Sequence, residues 1–224
     1  MDTIRPEHGP CPSEREIYLP RRASAAEWLR WALESHRPGG VIPHLRETDG
    51  IFAYPELYAL VNVPQDPEWH PEGTVDVHTA LVLDAAAEIA ERECLEPFTR
   101  SVLIFAALTH DFGKATTTRL RRKANGEPRW TSYGHDHAGG PLAEAFLQRL
   151  GIDDAIVERV ARLVEQHMAY RAFAESGVGD FAVRRLRWRL QPATLDELLW
   201  LIEADHSGRP PLPKGLPPAA LRLA

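Results

Sequence analysis

The chain has 224 residues, 44% of them hydrophobic and 26% charged, with a formal net charge of −6. These proportions are those of a globular protein and exclude a disordered, collagen-like or disulfide-stapled chain. They also exclude an overall basic footprint for nucleic acid, leaving only local basic patches.

The elements follow in chain order. Residues 1–20 hold four prolines and predict an extended arm. Ser24-Ala-Ala-Glu27 is a capping box that starts a helix carrying Trp28 and Trp31, expected to serve packing or a protomer contact, and Pro38-Gly39-Gly40 stops it. Residues 41–72 read as irregular apart from a short helix near 55–62, and the three prolines of VPQDPEWHPEG (63–73) exclude a long element there. Long helices are predicted over 75–94 and 97–111, the second ending at Gly113. Residues 114–134 are polar and basic with a turn at Asn125-Gly126. Further helices are predicted over 138–150, from an Asp153 N-cap to about Met168, over 180–190, and from the capping box Thr194-Leu-Asp-Glu197 to Asp205. The Pro-rich tail is expected to be extended. No convincing strand pattern emerges, so the fold class is all-α with six to eight helices. The domain reading is an N-terminal arm and helix (1–50), one helical domain (51–210) and a tail (211–224).

The two cysteines, Cys11 and Cys94, lack metal-site spacing and read as free thiols in a reducing compartment. No apolar signal region opens the chain, and no run approaches 18 apolar residues. The expectation is a cytoplasmic protein with no membrane partner.

Ten histidines are many for this length. Two His-Asp dipeptides against a chance expectation of about half of one carry little by themselves. Position carries more. His110-Asp111 closes a strongly apolar helix, where the chain can turn and bring both side chains to one point. His78 lies near a helix start, His135 in a turn before a helix, and His167 and Asp205 at helix ends. All could project from the rim of one helical core. Such a mixed nitrogen and oxygen set suits Mn²⁺, Fe²⁺, Co²⁺ or Ni²⁺; Zn²⁺ and Mg²⁺ are also compatible.

The order His78, His110-Asp111, His135, His167, Asp205 resembles the HD-domain metal-dependent phosphohydrolase superfamily. VPQDPEWHPEGTVDVHT (63–79), FAALTHDFGK (105–114), YGHDHAGG (133–140) and IEADHSGRP (202–210) resemble the HD domain of bacterial CCA-adding tRNA nucleotidyltransferases, and FAYPELYAL (52–60) what precedes it. The resemblance covers about residues 50–210. The polymerase half of those enzymes has no match here, so it does not imply CCA addition. Ala-Thr-Thr-Thr (115–118), His137 and a longer basic insert over 115–130 depart from the pattern.

The resemblance implies an all-α HD bundle with a short N-terminal helical extension, holding one or two divalent ions. It places a first ion on His78, His110, Asp111 and Asp205. For His135 and His167 two roles stay open: a second ion bridged by Asp111, or orienting the phosphate and protonating the leaving group. Lys114 and Arg171 are candidates for phosphate contact, as are Arg121 and Arg122 of the insert for an RNA end. Arg184, Arg185, Arg187 and Arg189 around Trp188 form a second basic stretch, read slightly in favour of a solvated helix face. His70 and Glu72 could line the cleft or serve a structural turn. The activity implied is hydrolysis of a 2′,3′-cyclic phosphodiester, with 2′-nucleotidase or phosphatase activity, on nucleotides or RNA ends. A free-nucleotide 5′-nucleotidase and a non-catalytic RNA-binding module are the alternatives.

Overall fold

Nine consecutive residues, Ser101–Thr109, are all buried. A helix covered on every side belongs at the centre of a bundle. The computed structural model describes residues 17–173 and 179–223 and places that segment, α5 (Pro97–Thr109), against α1 (Ala25–Glu34), α4 (Val75–Arg92), α8 (Asp154–Gln166) and α10 (Leu195–Ser207). Between α4 and α8 run α6 (Lys114–Thr117), the strands β1 (Arg119–Arg122) and β2 (Pro128–Thr131), and α7 (His135–Leu150), which packs along α8. The single turn α3 (Pro55–Tyr58), α2 (Val41–Glu47) and α9 (Asp180–Leu190) complete the helical set. The all-α reading holds.

Local sequence explains most boundaries. Both capping boxes form: Ser24 and Glu27 exchange hydrogen bonds at the start of α1, and Thr194 and Glu197 do so at α10. Asp153 caps α8 through Ala155 N. Trp28 and Trp31 are fully buried and meet edge to face at 5.3 Å, with Tyr54 and Phe146 against the same indole of Trp28. They are core residues and serve packing, the first of the two expected roles.

Four expectations need correction. Residues 41–47 are helical rather than irregular. The basic insert forms an antiparallel hairpin, pairing Arg119 with Thr131 and Arg121 with Arg129 around the Asn125-Gly126 turn. Its strands are four residues each and β1 is wholly exposed, so no alternation marks them. Helix α7 starts at His135, three residues before the expected start, and contains Pro141 as its seventh residue, which cannot donate to the His137 carbonyl. The tail is not simply extended: Ala220–Arg222 make a 3₁₀ turn, Ala220 and Leu223 are buried, and Arg222 donates to the Phe173 carbonyl. Cys11 lies outside the described residues; Cys94 is exposed and free.

Among the described residues, no helix is long and apolar enough to cross a membrane.

Candidate metal centre

The buried α5 delivers two polar residues directly out of the core. His110 and Asp111 follow its last turn and are themselves 0% and 1% exposed. The next turn is held by a close approach. A Cβ on Gly113 would lie 2.0 Å from the His135 carbonyl oxygen, so only glycine lets α6 and the start of α7 come together. His135 is thereby set beside Asp111. His78 enters from the first turns of α4, His167 from the C-terminus of α8 and Asp205 from the last turn of α10. Five helix ends thus converge, as the sequence positions suggested.

Three of the imidazoles are oriented in the same way. The Nδ1 atoms of His110, His135 and His167 lie 2.8, 2.8 and 2.6 Å from the carbonyls of Ala107, Ser132 and Val164. A carbonyl only accepts, so each Nδ1 carries its proton, and in the neutral ring the lone pair is on Nε2. All three Nε2 atoms face Asp111 or one another. His110 Nε2 is 3.3 Å and His135 Nε2 3.4 Å from Asp111, and His135 Nε2 is 3.1 Å from His167 Nε2. Two neutral rings held this way point lone pairs at each other. His110 Nε2 and Asp111 Oδ1 are buried without a hydrogen-bond partner, and Asp111 Oδ2 faces the Lys114 ammonium at 2.7 Å. Buried polar atoms are normally satisfied, and converging lone pairs are what a cation satisfies. The residues therefore fit a divalent metal. Of three compact trios among the described residues, His70–Glu72–His78, His78–His110–Asp111 and Asp111–His135–His167, the last two share Asp111.

His78 has a different anchor. Its Nδ1 lies 2.8 Å from Glu72 Oε1, closer than the Gly208 carbonyl at 3.3 Å, and its Nε2 is 3.1 Å from Asp205 Oδ1. His70 Nδ1 is also 2.8 Å from Glu72 Oε1. Glu72 is nearly fully buried and leaves its Oε2 unpartnered. It thus belongs to the cluster as the group that orients His78 and His70.

Electrostatics follow from this crowding. Burial pushes His78 down, but hydrogen bonds to Asp205 and Glu72 outweigh it and raise the ring to about 9. Burial drives His135 down to about 3 and lowers His167 as well. Asp111 is pushed up by burial, yet neighbouring His110 and Lys114 hold it well below the usual carboxylate range.

The cluster floors a cleft of about 380 Å³. Lys114 is in it, 2.7 Å from both Asp111 Oδ2 and Gln65 Oε1. Arg171 and Arg209 line the same space. Arg121 and Arg122 do not: Arg121 lies over the Tyr133 ring at 5.6 Å, and Arg122 donates to the Gly126 carbonyl. His137 is exposed beside Glu165, away from the cluster. Sequence reasoning did not single out Gln65, Asp66, Trp69, Arg129, Trp130 or Arg209, all of which line the cleft. Most stand inside the recognised motifs; the guanidinium groups of Arg129 and Arg209 were a signal for phosphate that went unused, whereas Gln65, Trp69 and Trp130 announce neither metal nor phosphate by residue type.

The comparisons agree with this geometry. Multifunctional CCA proteins of Vibrio parahaemolyticus serotype O3:K6 and of Xanthomonas oryzae pv. oryzae are 30% identical over 193 residues and 31% identical over 186 residues; each alignment covers 81% of this chain and 42% of the relative. The protein of the same name from Shewanella frigidimarina is 30% identical over 189 residues, covering 80% of this chain and 40% of the relative. The chain thus matches about two fifths of the length of these curated relatives. Residues 75–212 match the HD domain. That span is more than half of the chain and contains every histidine and aspartate of the two trios that share Asp111. The chain belongs to the HD domain family, whose members are metal-dependent hydrolases.

Proposed function

We propose that the chain hydrolyses 2′,3′-cyclic phosphodiesters, with 2′-nucleotidase or phosphatase activity, on nucleotides or RNA ends in the cytoplasm. The observation that carries the reading is the set of inward-facing lone pairs around Asp111, in a cleft that also holds Lys114, Arg171 and Arg209. His78, His110, Asp111 and Asp205 would hold one divalent ion, and Asp111, His135 and His167 a second. A bound divalent ion brings a water's pKa down towards about 7 and draws charge from a phosphoryl oxygen.

The chain's own groups supply the rest. A phosphodiester is already anionic, so approach of a nucleophile needs its charge offset. Lys114 is buried at the floor and Arg209 is 7% exposed, so both act where water screens little. Arg171 stands more openly and suits the outer phosphate oxygens. His135 and His167 stay uncharged at neutral pH because burial disfavours their cations. Each keeps a backbone-fixed orientation whether it serves as a ligand or faces the phosphate. The likeness to CCA proteins supports an RNA end or nucleotide as the phosphate's carrier.

The test is turnover of 2′,3′-cAMP, 2′-AMP, 3′-AMP and 5′-AMP with Mn²⁺, Ni²⁺, Co²⁺, Mg²⁺ or EDTA. Metal-dependent opening of the cyclic phosphate is the expected result. Hydrolysis of 5′-AMP alone would replace this reading with a 5′-nucleotidase. No turnover of any substrate by metal-loaded protein would overturn it.

A further inference from the structure

Two tryptophans face the cleft from opposite segments. Trp69 belongs to the loop that precedes α4, and Trp130 to β2 of the hairpin. Trp69 is 49% exposed and Tyr133, next along the same wall, is 71% exposed. Large aromatic faces left in water forgo about 25 cal/mol for every Å² that a ligand could cover.

The spacing between the tryptophans is built in. Arg129, one residue before Trp130, lies 3.2 Å from Asp66, three residues before Trp69. Asp66 is buried, and its carbonyl accepts from the amide of Trp69 at 3.0 Å. Lys123 pairs with Glu68 at 3.1 Å, and Thr118 Oγ1 bonds Ser132 Oγ at 2.8 Å. The two ion pairs tie the hairpin to the loop, and the Thr118–Ser132 bond closes the hairpin's own base.

From this we infer that Trp69 and Trp130 form a nucleobase subsite, which selects nucleoside phosphates over phosphates without a base. The floor of the cleft is polar and charged, whereas the wall offers π-faces. One ligand that carries both an anion and a flat heterocycle matches that division. A cleft of about 380 Å³ lies within the range of small-molecule sites and suits one nucleotide unit. The hairpin is then a specificity element. The same chemistry could come from a free mononucleotide or from the last residue of an RNA chain. This inference rests on the phosphohydrolase reading for its phosphate position, but not for its aromatic wall.

The test is a binding titration on the whole protein in EDTA, followed by intrinsic tryptophan fluorescence. The ligands are 2′-AMP, ribose 5-phosphate and a trinucleotide with a 3′-terminal phosphate. Stacking is worth about 5- to 150-fold per base. The expectation is that 2′-AMP quenches fluorescence and binds at least about fivefold tighter than ribose 5-phosphate. Trp69→Leu should lose most of that margin without weakening ribose 5-phosphate, and Trp69→Phe should regain part of it. Because Trp69 is half exposed, neither variant should disturb folding. A trinucleotide tighter than 2′-AMP would support the subsite and assign it to RNA ends; a weaker one would support it for free nucleotides. Equal binding of 2′-AMP and ribose 5-phosphate would overturn the inference, as would unchanged 2′-AMP binding in Trp69→Leu. These outcomes are independent of turnover: a protein that discriminates by base yet hydrolyses nothing would refute the proposed reaction and leave the subsite standing.

Discussion

Replacing Glu72 by alanine is expected to weaken metal binding although Glu72 is placed outside the ligand set. Its Oε1 accepts from the Nδ1 atoms of both His78 and His70 at 2.8 Å. A carboxylate behind a ligating imidazole fixes the tautomer and raises the basicity of the nitrogen that faces the ion; losing such a partner costs about 10–100-fold in affinity. That range corresponds to about 1.4–2.7 kcal/mol. The structure indicates the lower half. The Gly208 carbonyl, 3.3 Å from His78 Nδ1, can take over the acceptor role and keep the ring's tautomer. What cannot be replaced is the negative charge. Glu72→Gln should therefore fall between the wild type and Glu72→Ala, because the amide oxygen still accepts but carries no charge. The assay is a competition titration of Co²⁺ or Zn²⁺ against a chelating indicator, with thermal unfolding in EDTA as a control for folding. Wild-type affinity in a folded Glu72→Ala protein would refute the argument that this carboxylate orients His78.

Asp111→Ala should abolish both metal content and hydrolysis while the helical circular dichroism persists, since Asp111 alone belongs to both the His110 and the His167 trio; full activity in a folded variant would exclude the metal mechanism. Gly113→Ala should lower stability by about 1–3 kcal/mol through overpacking and reduce metal affinity with it, because the new methyl meets the His135 carbonyl at 2.0 Å; an unshifted melting temperature would contradict this. Hydrogen bonds from the Ser24 backbone and hydroxyl hold the Glu27 carboxyl below its ordinary 4.5. A lowered folded value means that its contribution is present above pH 4.5 and is lost as pH falls through the folded value. Glu27→Gln should accordingly flatten the acid limb of melting temperature against pH and leave the shape above pH 6 unchanged; an unaltered acid limb would show that the capping box carries no pH dependence.

The parts legible in the sequence are those governed by local rules. Ser24 and Glu27, Thr194 and Glu197, and Asp153 announce their helix starts because a cap needs only a side chain and the amides next to it. The site was legible because His78, His110, Asp111, His135, His167 and Asp205 stand at helix ends, and helix ends of a bundle share a rim. The hairpin was not legible. Its strands are too short for alternation, and its stability comes from Arg129 meeting Asp66 and Lys123 meeting Glu68, contacts between segments about 55–63 residues apart. Arg121 and Arg122, expected at an RNA end from their charge, stand on the exposed strand β1 outside the cleft lining, Arg121 over Tyr133 and Arg122 beside its own turn. The start of α7 was placed three residues late. Inside that helix the glycines at 139 and 140 provide room for its neighbours: a Cβ on Gly139 would meet Val164 at 3.0 Å, and one on Gly140 the Ala161 carbonyl at 3.3 Å.

The lone pairs around Asp111 face the point that a divalent ion would occupy. The decisive measurement is anomalous diffraction from crystals grown with saturating Mn²⁺ or Co²⁺. A peak is expected within bonding distance of Asp111, His110 Nε2 and His78 Nε2, and none in Asp111→Ala crystals. Crystals saturated with metal that show no anomalous density among these residues would contradict this placement.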